Sequence, residues 1–425
     1  MHYQVLSHIQ VQQVPTDQYP DRNLLLEFSF MNSYDAFSTW EDLTQTLKLV
    51  LPKRVRIKSS QTSGNPFSYI QLGNTTGKNS NLGGFDAPPT FLRGDTIKMN
   101  VGYRAMVGES EVTYWTGEKG IPDMFKGFIS AVNPKLPFTL ECEDNMWLCK
   151  QIPTPARNWG KKSLQQIVQD ILDEGMKTPA VKKYAGLVSL NVSDFSKTDL
   201  VFNVSSLTTQ RGSLAMFLTR LKSQYKVDSY FRGEELRIGY THYVQSDTVQ
   251  HTFTFQKNIL DGDKLNWMRR DDVVMSAIVR SVYQIAESTT TLDGATKTKQ
   301  ASTEVLVYLS DTQFTYIKKE KGKDYPAKVL DAMGEVYKIE INAPESDAKK
   351  LFNIGKTKLQ QHYYDGFRGS FTTFGMPYVK HGDTVRLINN QLPEQNGLYK
   401  VKAVRYYGGY DEGLRQEITI DYKID

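Results

Sequence analysis

Only two cysteines occur in 425 residues, Cys142 and Cys149, with six residues between them and no histidine at ligand spacing. That excludes a disulfide scaffold and gives no zinc signature; the reading is two buried thiols. The six histidines, His2, His8, His242, His251, His362 and His381, never form a metal-binding pair at helical spacing. Long apolar runs are missing too: nothing approaches the roughly 18 residues of a membrane span. The N-terminus, Met1-His2-Tyr3-Gln4-Val5-Leu6, has neither a basic region nor an apolar core, so a chain kept in the cytoplasm until assembly is expected. Three glycosylation-like triplets, at Asn74, Asn191 and Asn203, are chance matches in such a chain. Charge of one sign is scarce: 52 Lys and Arg face 47 Asp and Glu, a net +5 with no run of five basic residues, which is not the footprint of a nucleic-acid binder.

What is present describes a soluble globular chain of two or three domains, 39% hydrophobic and 23% charged. Its 24 Tyr and 20 Phe favour β structure. Ile97, Met99, Val101 and Tyr103 alternate with polar residues, as do Phe138, Leu140 and Cys142, the period of strands with one buried face. Gly, Pro and Asn punctuate these runs, and residues 1–152 read as a small antiparallel β domain. Helices follow. Ser163 and Gln166 form a capping-box pattern ahead of the stripe Leu164, Ile167, Val168, Ile171, Leu172, which stops at Gly175. Leu214, Phe217, Leu218, Leu221 and Tyr225 make a second stripe, and residues 230–238 a hairpin around Gly233, so 153–258 reads as an α/β insert. From 259 to 425 the pattern is β again: strands at Val273–Tyr283 and Thr303–Leu309 around a turn near Asp293-Gly294, then a helical insertion near 320–366 with a helix over Asp347–Tyr364. A last strand carries Ile418, Ile420, Tyr422 and Ile424.

A weak internal repeat is the most informative feature. Gly94-Asp95-Thr96 opens the strand Ile97-Lys98-Met99, and Gly382-Asp383-Thr384 opens Val385-Arg386-Leu387. The tripeptide alone is a common turn. Each copy, however, is followed by a loop and two further strands, Met124–Val132 and Phe138–Glu143 in one, Leu398–Tyr406 and Gln416–Ile424 in the other. The expected fold class is mainly β with α+β insertions: two related small β-barrels separated by an α/β insert.

Signs of chemistry are sparse. Gly73-Asn74-Thr75-Thr76-Gly77-Lys78-Asn79-Ser80 has three residues between its glycines where a phosphate loop has four, and Asn79 stands where the magnesium ligand would be; it reads as a flexible hairpin or assembly loop. No Gly-x-Ser-x-Gly elbow occurs. Glu141, Glu143 and Asp144 are the densest acid cluster, yet Glu141 and Glu143 share the strand face opposite Phe138, Leu140 and Cys142, a solvated or interface edge. No catalytic residue, cofactor or metal is expected.

The chain resembles the hub proteins of phage baseplates, including the late control protein D family, and the hub portion of type VI secretion spike proteins. The resemblance rests on 94–103, on Met124-Phe125-Lys126-Gly127-Phe128-Ile129-Ser130 and on 138–144. In the C-terminal part it rests on Gly369-Ser370-Phe371, Met376-Pro377, Gly382-Asp383-Thr384-Val385, Gly397-Leu398-Tyr399-Lys400-Val401 and Arg415-Gln416-Glu417-Ile418. It covers about half of the chain and is diffuse. It implies a non-enzymatic homotrimer with two barrels per chain. Six similar units would then face a hexameric tail tube protein, with a spike or tip protein and other baseplate proteins as further partners, no membrane and no sequence-specific nucleic acid. It also implies a location in the virion tail or baseplate after synthesis in the bacterial cytoplasm. The sequence ends at Asp425 just past its last expected strand, so a separate spike or fibre protein is expected. Assembly contacts are expected at Gly94, Asp95, Thr96, Gly382, Asp383 and Thr384, and at the Tyr406, Tyr407, Gly408, Tyr410 loop. A distal tail or tail-tip adaptor, a cell-wall-cleaving tail enzyme using an acidic pair, and a glycan-binding adhesin remain as alternatives.

Overall fold

The computed structural model describes residues 3–52, 54–59, 67–71, 89–107, 110–118, 120–133, 135, 137–157, 159, 162–194, 211–225, 227–239, 250–270, 275–290, 296–310, 313–320, 323–325, 337–342, 347–409 and 412–424. The Gly73–Ser80 stretch, the Asp293-Gly294 turn and Tyr410 lie outside them. The fold is mainly β with helical insertions.

Eight antiparallel strands form one continuous row: Leu265–Met268, Gly366–Phe374, Gly413–Lys423, Gly397–Gly409, Ser33–Thr39, Thr46–Leu51, Phe138–Glu143 and Phe125–Asn133. Near one end Phe125–Asn133 also pairs with Thr96–Val107, which pairs in turn with Tyr3–Gln12. Within the row Gly397–Gly409 also pairs with Thr384–Ile388, which takes Gln250–Thr254 in parallel. Alternation produces the buried face: in Gly413–Lys423, Leu414, Gln416, Ile418, Ile420 and Tyr422 point inward and every second residue is partly exposed. One core draws on both ends of the chain, joining Ile9, Leu49, Met99 and Leu140 to Phe371, Leu387, Val401 and Ile418.

The helices lie where their patterns placed them. Leu164–Gly175 carries the capping box, with the Ser163 hydroxyl accepting from Gln166 N and the Gln166 side chain accepting from Ser163 N. Its stripe packs with Leu214, Leu218 and Leu221 of Leu214–Tyr225 over the sheet Asn191–Asp194, Asp228–Arg232 and Glu235–Gly239. Ala348–His362, capped by Asp347, lays Leu351 and Leu359 against Val279, Val305 and Val307. The strands beneath that helix, Met275–Thr290 and Thr296–Ser310, run longer than the sequence pattern indicated.

Candidate functional site: paired turns and a strand seam

Gly94 sits at φ 93°, the left-handed region that favours glycine, and turns the chain into Thr96–Val107. Its N–H donates to Ile129 O at 2.8 Å, Ile129 N returns a bond to Asp95 O at 2.9 Å, and Asp95 N donates to Leu92 O at 3.1 Å. The Asp95 carboxylate accepts from Leu92 N at 2.8 Å and Val14 N at 3.0 Å. Arg22 closes the arrangement with a two-pronged ion pair at 2.9 and 2.6 Å, and both side chains are sealed from solvent. Burial pushes the Asp95 pKa above its ordinary value, with Arg22 and the two backbone N–H groups pulling the other way.

The second turn repeats the backbone bonds of the first. Gly382 has φ 83°; its N–H donates to Val401 O at 2.8 Å, Val401 N donates to Asp383 O at 2.9 Å, and Asp383 N donates to Lys380 O at 3.0 Å. Lys380 N donates to the Asp383 carboxylate at 2.9 Å. The counter-ions differ. Arg232, on the strand Asp228–Arg232, reaches Asp383 at 2.5 Å, and His251 Nε2 stands 3.3 Å from its other oxygen. Burial alone would raise the Asp383 pKa; His251 and Arg232 outweigh it and hold the group below its ordinary value. His381 is packed edge-on to Tyr230 at 5.0 Å. Burial and the neighbouring Arg232 and Lys380 charges push His381 down to about 3, so its imidazole is neutral and only weakly basic at physiological pH.

The likeness continues past the turns. Thr96 pairs with Phe128 as Thr384 pairs with Lys400. Each strand then carries a bulge at the same place, between the pairs Ile129↔Cys142 and Ala131↔Glu141 in one copy and between Val401↔Ile420 and Ala403↔Thr419 in the other. Beyond the bulge, Val132↔Leu140 and Asn133↔Thr139 match Val404↔Ile418 and Arg405↔Glu417.

The two copies meet in a seam where Ala403–Gly409 pairs with Ser33–Thr39. Arg405 makes a two-pronged pair with Asp35 at 3.0 and 2.6 Å, Thr39 Oγ1 donates to Lys402 O at 3.1 Å, and Lys402 meets Glu41 at 2.9 Å. This corrects the reading of residues 406–409 as loop: they continue the strand. Gly408 belongs there because the Gly413 carbonyl runs too close to admit a Cβ. Tyr406 is buried, its hydroxyl bonded to Val379 O and N and to Gln416, while Tyr407 is half-buried beneath the Arg405 guanidinium, 5.1 Å from its ring centre.

Of the residues expected at assembly contacts, Gly94, Asp95, Gly382, Asp383 and Thr384 are buried and Thr96 is half-buried; both Asp side chains are engaged within the chain. Sequence reasoning missed Arg22, Arg232, His251 and the Asp35–Arg405 pair. Among the described residues no three His, Cys, Asp or Glu side chains group to hold a metal ion. The acid cluster is divided: Glu141 is exposed, Glu143 pairs with Lys150 at 2.5 Å, and Asp144 is buried, accepting from Met146 N at 3.1 Å, with burial pushing it up to about 7.

This is a fold found in phage tail proteins. A tail protein from Neisseria meningitidis MC58 matches with a TM-score of 0.51 at 11% identity, over 99% of this chain and 97% of that one. The 43 kDa tail protein of prophage MuSo2 from Shewanella oneidensis matches with a TM-score of 0.50 at 9% identity, over 98% of both chains. No family model matches the sequence, and no curated protein matches it.

Proposed function

We propose that this chain is a structural tail-hub protein of a bacteriophage or phage-like injection particle. Three copies form a ring of six similar units, which joins a sixfold tail tube to a threefold spike or tip. The units are two small β-barrels per chain, within 1–152 and 259–425, and 153–258 is the α/β insert between them. The observation that carries this reading is the repeat: the same Gly-Asp turn, followed by matching pairings on either side of a bulge at the same place, occurs twice in one sheet, once from each end of the chain. Two similar units per chain turn threefold symmetry into approximate sixfold symmetry. The similarity of fold to two phage tail proteins supports a place in a tail. The role is non-enzymatic, with tail tube, spike and other baseplate proteins as partners.

Native mass spectrometry of the purified chain tests the proposal. A dominant species of three 48.5 kDa chains is expected. A uniform dimer, or a monomer at every concentration with no assembly on added tube or spike protein, would overturn it.

A further inference from the structure

The outward face of the eight-strand row carries a ladder of charges across the seam. By register, Glu417 lies opposite Arg405, Tyr407 opposite Asp35, Asp35 opposite Lys48, and Lys48 opposite Glu141. Side-chain bonds hold the ladder in place. Lys264 meets Glu417 at 2.7 Å, Ser370 Oγ donates to the same carboxylate at 3.0 Å, and Arg405 grips Asp35 with both prongs. Two cavities open on this face. One, of about 600 Å³, is lined by Tyr407, Thr372, Asp261, Lys264 and Asn32 among others. The other, of about 450 Å³, is lined by Phe37, Thr46, Ser130, Glu141 and Glu143 among others. Asp35, Lys48 and Arg405 line both, so the two cavities form one trough across the seam. Tyr407 and Phe37 are diagonal neighbours on adjacent strands, since Arg405 faces Phe37 and Tyr407 faces Asp35; such positions lie about 7–8 Å apart. Phe37 is 38% exposed, and Tyr407 is half-buried with the Arg405 guanidinium 5.1 Å from its ring centre, so Phe37 is the more open ring.

We propose that this trough binds a neutral glycan strand built of acetamido sugars. Both cavities fall within the range of about 300–1,000 Å³ usual for ligand sites. The Arg405–Asp35 and Lys264–Glu417 pairs each hold a donor beside an acceptor at fixed spacing, the pattern that neighbouring sugar hydroxyls, or the N–H and C=O of an acetamido group, can satisfy. Phe37 offers an apolar face for the acetamido methyl and the sugar C–H groups, with Glu141 and Lys48 alongside. Charge argues against a polyanion such as nucleic acid. The lining carries six carboxylates, Asp35, Glu141, Glu143, Asp261, Glu412 and Glu417, against the three cations Lys48, Lys264 and Arg405. A protein partner fits less well, because the centre of a protein interface is depleted in charged residues, whereas Asp35, Lys48 and Arg405 occupy the middle of this trough. The site lies within one chain, so it adds a binding activity that stands apart from the ring reading.

Calorimetric titration of the full chain with the N-acetylglucosamine hexamer tests the assignment. Saturable binding is expected, and maltohexaose, which lacks the acetamido groups, should bind about tenfold more weakly for the hydrogen bonds it cannot make. Phe37→Ala should weaken hexamer binding about five- to tenfold, since roughly half of an aromatic side chain's burial is at stake. Lys48 is exposed, so Lys48→Glu tests the ladder in a folded chain and should weaken binding about tenfold. Tyr114→Ala, at an exposed ring outside both cavities, should leave binding unchanged. No binding at millimolar hexamer, or binding that survives both trough variants, would overturn the assignment. So would binding of a decapeptide of alternating Glu and Lys, lost in the same variants, with none of the hexamer; the trough would then be a protein groove.

Discussion

The two Gly-Asp turns share their backbone bonds, but not the company they keep. At Asp95 the counter-ion is Arg22, from the segment after the first strand, and the pair is sealed within its own half of the molecule. At Asp383 the counter-ion is Arg232 from the strand Asp228–Arg232, assisted by His251 on the strand parallel to 384–388, and the arginine keeps some solvent contact. One turn is closed by an arginine of the chain's first 25 residues; the other is tied to the strand Asp228–Arg232. The same local geometry therefore serves packing in one place and connection between parts in the other.

Removing the anchors should expose this difference. Asp95→Ala strands a buried guanidinium and should cost about 3–5 kcal/mol in urea unfolding. Asp383→Ala should cost less, because Arg232 can turn toward water. Equal losses would show that the second turn is as closed as the first. The glycines sharpen the same contrast. Both need the left-handed region, worth about 1–2 kcal/mol against alanine. A Cβ on Gly94 would also stand 2.6 Å from the Tyr184 hydroxyl, whereas one on Gly382 meets nothing nearer than Arg232 Nη1 at 3.4 Å. Gly94→Ala should thus destabilise more than Gly382→Ala, measured by thermal unfolding under identical conditions.

Titration separates two carboxyls of opposite sign. Asp383 is held below its ordinary value, so its stabilisation is present above about pH 4 and is lost as pH falls through its depressed pKa. Asp144 is pushed up to about 7 from 3.8, so its contribution is complete below about pH 4 and is lost as pH rises toward about 7. Asp144→Asn should flatten the decline in urea midpoint between pH 5 and 7, and an unchanged slope would contradict the placement of that carboxyl. The smallest effect belongs to the seam: Arg405 and Asp35 are each nearly half exposed, so Arg405→Ala should change stability by about 1 kcal/mol or less.

What could be read from the residues alone was local. The capping box at Ser163 and Gln166 joins atoms three positions apart, and both Gly-Asp-Thr turns keep their tripeptide intact. The partners of those turns left no trace, because Arg22 lies 73 residues from Asp95 and Arg232 lies 151 from Asp383. The seam joins Asp35 to Arg405 across 370 residues. Gly408 and Gly409 read as loop because glycine usually punctuates; here it admits a close backbone neighbour inside a strand. The shared bulge has only a faint signature, Ala131-Val132 in one copy and Ala403-Val404 in the other. Backbone register depends on pairing, and composition does not encode it.

Negative-stain imaging with two-dimensional averaging of the purified protein bears most directly on the proposed ring. A ring with threefold symmetry and six similar lobes is the expected image. Closed particles with three lobes, or with another symmetry, would contradict the proposal that each chain contributes two equivalent units.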